Sequence, residues 1–177
     1  MLSIFLIGLA LSMDAFSIAL SIGVSNIQTY KKLIIPIVVS IMHFLMPLLG
    51  LTLGNQILNI FNINPKFIVS IILLYLAIIM YTDRKNEKMP KITSIISILL
   101  LSFSVSIDSF SVGIGLSGLT DKYLLSFFIF ALCSGCFTYI GLIIGKYSVK
   151  ILKEKAVYIG IGILLLISIV NLCQIFG

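Results

Sequence analysis

The chain has 177 residues, 60% of them hydrophobic and only 10% charged, with a formal net charge of +6. A soluble globular domain is nearer half apolar and a quarter charged, so this composition belongs to the membrane class. The basic residues fall in short stretches between apolar runs and form no cluster interleaved with aromatics, which excludes nucleic acid as a partner and points to membrane lipid and topology instead.

A membrane-crossing helix needs about 20 mostly apolar residues. In chain order, six stretches qualify: Leu2–Val24, Ile34–Leu58, Lys66–Tyr81, Ile92–Leu116, Leu124–Gly145 and Ala156–Phe176. They are continuously apolar rather than alternating, which argues against an outer-membrane barrel. The first has no basic leader and carries a motif that recurs later, so it reads as working structure rather than a signal peptide. The three cysteines, Cys133, Cys136 and Cys173, all lie in apolar stretches and do not form a disulfide framework.

Ten of the 12 Lys and Arg residues fall in three connections: Lys31 and Lys32; Arg84, Lys85, Lys88 and Lys91; Lys146, Lys150, Lys153 and Lys155. The second and fourth connections hold only Lys66 and Lys122. The excess predicts that the first, third and fifth connections are cytoplasmic and that both termini lie outside.

The chain also repeats. Ser12-Met-Asp-Ala-Phe-Ser-Ile aligns with Ser106-Ile-Asp-Ser-Phe-Ser-Val at an offset of 94. Leu49-Gly-Leu-Thr-Leu-Gly aligns with Ile140-Gly-Leu-Ile-Ile-Gly at an offset of 91, matching Gly50/Gly54 to Gly141/Gly145. Paired glycines at this spacing let helix backbones approach closely in lipid. The predicted fold is therefore an all-α integral membrane protein of six transmembrane helices. They form two three-helix repeats, residues 1–83 and 92–177, joined by a cytoplasmic linker at 84–91 within one transmembrane domain. Three spans per unit force the second copy into the bilayer upside down, an arrangement used by transporters that bind their substrate near the midplane.

Of the six acidic residues, Asp83, Glu87, Asp121 and Glu154 lie in connections, and only Asp14 and Asp108 lie within spans. An aspartate at a helix centre costs about 2.5–3.5 kcal/mol on insertion scales, and no Lys or Arg lies mid-span to pair with either one. Positions three, four and seven apart share a helix face. Asp14 thus lines up with Ser17, Ser21 and Ser25, and Asp108 with Ser104, Ser111 and Gly115. Carboxylate and hydroxyl oxygens suit Mn²⁺, Mg²⁺ or Ca²⁺. The candidate metal-binding residues are Asp14 and Asp108, supported by Ser17, Ser111 and the single histidine, His43. Two carboxylates neutralise one divalent ion, and repel each other when it leaves, which gives a physical basis for exchanging the ion for protons. Pro47, four residues after His43, is expected to free backbone carbonyls and break its helix. Thr52, Asn55, Thr138, Tyr139 and Asn171 are expected to make packing or capping hydrogen bonds, and Cys133-Ser-Gly-Cys136 to allow close packing.

SMDAF in the first span, MPLLGLTLG in the second and SIDSFSVGIGL in the fourth resemble the MntP-type manganese efflux pumps, over essentially the whole chain. The resemblance implies Mn²⁺ export across the bacterial inner membrane by a multi-pass protein, with Mn²⁺ as transported substrate and no resident cofactor. It makes Asp14 and Asp108 the two intramembrane aspartates. His43 stands where such proteins often have a glutamate or glutamine, and Thr82 near a place where they carry a glutamate. Two other readings stay open: export of another small cation, as in the wider LysE-like transporter superfamily, and a non-transport assembly role, as in the sporulation membrane protein YtaF-type branch. An intramembrane aspartyl protease also uses two aspartates. It requires GxGD and PAL motifs, and neither occurs.

Overall fold

In lipid every backbone N–H and C=O must be satisfied within its own segment, so long apolar runs fold as helices. The computed structural model describes residues 2–24, 28–61, 65–83, 94–145 and 149–176, and among these it is all-helical. The helices are α1 (Leu2–Gly23), α2 (Thr29–Phe61), α3 (Pro65–Asp83), α4 (Ile95–Val105), α5 (Ile107–Gly115), a 3₁₀ turn at Leu116–Gly118, α6 (Tyr123–Ile144) and α7 (Val149–Phe176). Among the described residues, Leu2–Gly23, Thr29–Gln56, Ile95–Gly118 and Tyr123–Ile144 are long and apolar enough to cross a membrane. Side chains such as Leu2, Ile96 and Leu132 are about two-thirds exposed or more, which suits a surface facing lipid rather than water. The 84–91 linker lies outside the described residues.

The second helix departs from the sequence reading in two ways. α2 begins at Thr29, so Lys31 and Lys32 form part of its first turns, with the Lys31 ammonium 6.0 Å from the centre of the Tyr30 ring. The helix also runs unbroken through Pro36 and Pro47. A proline removes one donor and strains one turn, and flanking helical contacts can hold that turn in place.

The fourth apolar stretch, by contrast, is not one helix. It turns at Ser106, whose φ of −93° and ψ of 0° lie in the bridge region between helix and strand. Serine hydroxyls here compete for the backbone: Ser106 Oγ donates to the Phe103 carbonyl at 3.0 Å, and Ser109 Oγ to the Ser106 carbonyl at 2.7 Å. The expected shared face of Ser104 and Asp108 therefore spans a break, and Ser104 is exposed.

Helix contacts run in a cycle: α1 on α6, α6 on α2, α2 on α4 and α5, α5 on α3, α3 on α7, and α7 back on α1. The two halves of the chain are interleaved, because α2 packs on helices of the second half and α6 on α1. The closest approaches are backbone to backbone at glycines. A Cβ on Gly50 would overlap the Phe110 carbonyl oxygen and one on Gly54 the Ile114 carbonyl oxygen. In the other half, a Cβ on Gly141 would lie 2.9 Å from the Phe16 carbonyl oxygen, and one on Gly145 would overlap that of Leu20. Phe16 and Phe110 are 94 apart, as are Leu20 and Ile114. Both seams thus use the offsets of 94 and 91 seen in the sequence. At the α3–α7 contact, buried Ser168 donates through Oγ to the Ser70 carbonyl at 2.8 Å.

Candidate metal centre

The same contacts fix how the helices run. Gly8 meets Phe130 and Phe16 stacks edge-on against Phe137 at 6.0 Å, so α1 and α6 are parallel. Gly135 lies against Ser40 and Phe44 packs on Phe127, so α2 runs opposite to α6. Gly50 meets Phe110 and Gly54 meets Ile114, so α5 runs with α2. Between α1, α2, α4 and α6 lies a small crevice with apolar walls, including Ala15, Ile18, Val39 and Val105, and with Thr138 on its edge.

Toward the end of the fold where α1 starts, each wall carries a polar residue about one turn on. Asp14 precedes Ile18 by four residues, His43 follows Val39 by four, Asp108 follows Val105 by three, and Ser134 precedes Thr138 by four. Side chains on a helix tilt toward its N-terminus. Asp14 therefore tilts toward the α1 start, while His43 and Asp108, on oppositely directed helices, tilt the other way. By register the four residues stand about one turn beyond the crevice, at the same end of the fold.

Asp14 and Asp108 are both half-buried. Asp108 occupies the first turn of α5, the end at which a helix dipole favours a carboxylate. The break at Ser106 creates that helix start. Ser17 is buried and donates to the Met13 carbonyl at 2.9 Å, keeping its oxygen lone pairs; Ser21 does the same to Ser17 at 3.2 Å. Ser111 Oγ lies 3.4 Å from the Ile107 carbonyl. His43 is fully buried, with Nδ1 3.0 Å from the Val39 carbonyl. Ser25 and the side chains of Thr82 and Asn171 lie outside the described residues. Among the described residues no three His, Cys, Asp or Glu side chains form a group that could hold a metal, so a two-aspartate site must take further ligands from hydroxyls, carbonyls or water. Cys133, Cys136 and Cys173 are free thiols.

The sequence reading missed the hydroxyls of α6. Thr138, expected to be satisfied, is buried with no hydrogen-bond partner on Oγ1, and Ser134 one turn away is in the same condition. The signal was available as two hydroxyl residues four apart on one face, but hydroxyls in membrane helices usually bond back to their own backbone, as Thr52 does to Leu49 at 2.8 Å.

Comparison with known proteins follows the same line. The family described as "Mntp: Putative manganese efflux pump" matches residues 26–172. A protein of Geobacillus kaustophilus (strain HTA426) named "Putative manganese efflux pump MntP" is 31% identical over 162 residues, covering 90% of this chain and 88% of that protein. The similarly named protein of Geobacillus thermodenitrificans (strain NG80-2) is 30% identical over 171 residues, covering 96% of this chain and 93% of its own length. One from Bacillus cereus (strain B4264) is 30% identical over 167 residues, covering 93% and 91% respectively. No solved structure matches. With its family matched over most of its length, and with apolar helices able to cross a membrane, the chain belongs to the MntP family of manganese efflux pumps.

Proposed function

We propose that this chain exports Mn²⁺ from the bacterial cytoplasm across the inner membrane, binding the ion between Asp14 and Asp108 and exchanging it for protons. The fold behind this reading has six spans in two inverted three-helix repeats, with both termini outside. The observation that carries it is the pair of equivalent glycine seams. Gly50 and Gly54 meet positions 110 and 114 as Gly141 and Gly145 meet positions 16 and 20, and the same offset of 94 relates Asp14 to Asp108 and Ser17 to Ser111.

A twofold relation of this kind brings equivalent carboxylates from opposite directions to one level. One divalent ion then meets two negative charges, with hydroxyl and carbonyl oxygens completing its shell. Without the ion, two carboxylates at membrane depth repel each other, and protons relieve that repulsion. Proton exchange would also drive export.

Two measurements test this. In everted membrane vesicles containing the chain, an imposed proton gradient should drive Mn²⁺ into the lumen, and collapsing the gradient should stop it; uptake indifferent to the gradient refutes antiport. A reporter fused after Gly177 should be active only outside the cytoplasm, and a cytoplasmic signal refutes the proposed topology.

A further inference from the structure

Among the described residues, the buried apolar side chains gather into two clusters rather than one core. The boundary between them falls at a polar residue on each helix run that both clusters share. On α1 the first cluster reaches Leu11 and the second starts at Ala15, with Asp14 between them. On α2 the second reaches Val39 and the first resumes with the half-buried Phe44, with His43 between. Along α4 and α5 the second reaches Val105 and the first resumes at Val112, with Asp108 between. On α6 the first reaches Phe130 and the second holds Leu142, with Ser134 between. Because α1 and α6 run opposite to α2 and α5, the first cluster lies on the side where α1 starts and the second on the side where α2 starts.

The sequence repeat exchanges the two clusters. At the offset of 94, Leu11 in the first corresponds to Val105 in the second, and Ile22 in the second to Leu116 in the first. At the offset of 91, Val39 in the second corresponds to Phe130 in the first, and Leu51 in the first to Leu142 in the second. Each cluster is thus the counterpart of the other, on the opposite side of the aspartates. They are not built alike. The first holds Phe127 and Phe130 and also draws on α3 and α7. The second has Val39 where the first has Phe130, and it surrounds the apolar crevice. That crevice is about 10 Å³, the size of one water, and apart from Thr138 its walls offer no polar side chain to hold one.

Resting on the two-carboxylate, inverted-repeat reading above, we infer that these clusters are the two gates of the transport path. The second closes the aspartates off from the side where α2 starts, which is the cytoplasm in the proposed topology. The first closes them off from the outside. An apolar constriction stops a hydrated ion without a plug, because it does not hold water. Both gates are packed in this structure, with Phe130 and Leu142 each 0% exposed. The second is the thinner, and opening it separates fewer and smaller apolar groups. It is therefore the gate that yields more readily, and the crevice marks where it parts.

The test reads access rather than transport. The full-length chain, with Cys133, Cys136 and Cys173 changed to alanine, carries one reporter, Val105→Cys in the second cluster or Val112→Cys in the first. In oriented membrane vesicles a membrane-impermeant maleimide should label Val105→Cys only from the cytoplasmic face and Val112→Cys only from the outside, with Val105→Cys the faster. Leu142→Ala should raise Val105→Cys labelling about tenfold and lower that of Val112→Cys; Leu51→Ala, at the equivalent position, should do the reverse. Saturating Mn²⁺ should change both rates. A reporter labelled from both faces or from neither, or a leucine variant that raises both rates, overturns the gates. The reporters alone decide the point where a leucine variant fails to fold. One-sided labelling that Mn²⁺ leaves unchanged keeps the gates and overturns the two-carboxylate site, and exchanged sidedness keeps the gates and overturns the topology.

Discussion

Replacing Asp14 with asparagine should reduce Mn²⁺ efflux to the background of cells lacking the protein, and Asp108→Asn should do the same. Asparagine keeps the size of the side chain and one carbonyl oxygen but removes the charge. Breaking a buried charge pair by removing one partner costs about 3–5 kcal/mol, which is about 150- to 5,000-fold in affinity. A site with one carboxylate leaves a divalent ion half-neutralised in a low-dielectric setting, so either change alone should suffice. The membrane tolerates asparagine better than aspartate, so both variants should accumulate normally. Mn²⁺ accumulation in cells loaded with the metal, with protein level measured in parallel, reads the outcome directly. Full efflux by either variant would mean that the two aspartates do not act as one site.

The second large effect is structural. Gly54→Val should prevent the protein from folding or assembling, and Gly145→Val should do so to the same degree. A Cβ at Gly54 would lie 2.7 Å from the Ile114 Cα, and one at Gly145 would lie 2.9 Å from the Gly23 Cα. Neither neighbour is a flexible side-chain tip that can swing aside, so the helices themselves must separate. Overpacking a core typically costs about 1–3 kcal/mol, and backbone collisions at two-helix seams belong at or above the top of that range. Gly162→Ala is the control. Its Cβ would meet nothing within 4 Å, and alanine favours a helix over glycine by about 0.8–1.0 kcal/mol. Folded yield and thermal midpoint in detergent should fall for both valine variants and hold or rise for the alanine. A large loss at Gly54 with none at Gly145 would contradict equivalent seams.

Much of the proposed site is legible in the sequence because it depends on chemistry that membranes make expensive. Two carboxylates in apolar runs stand out at any position, and the offset of 94 links them in the sequence alone. The glycine pairs were legible for the same reason, since close approach in lipid needs small residues. Their partners were not. Sequence alignment matches Gly50 to Gly141 but does not say that each seam joins the two halves, with α2 on α5 and α6 on α1. The break at Ser106 was hidden because hydropathy is continuous across it, although two serine hydroxyls bond to backbone carbonyls there. Pro47 misled in the opposite sense. The expected helix break does not occur, and the consequence of proline lies instead in the donor withheld from the His43 carbonyl. Thr138 was expected to be hydrogen-bonded and Ser134 was not singled out, because a buried, unpartnered hydroxyl is a property of packing and leaves no mark in composition.

The central claim is that Asp14 and Asp108, from two copies of one motif, make a single ion site. Equilibrium binding of Mn²⁺ to the purified chain tests it most directly. The account predicts one ion per chain in the wild type, with binding lost on changing either aspartate to asparagine. Two ions per chain, one surviving in each single variant, would contradict it.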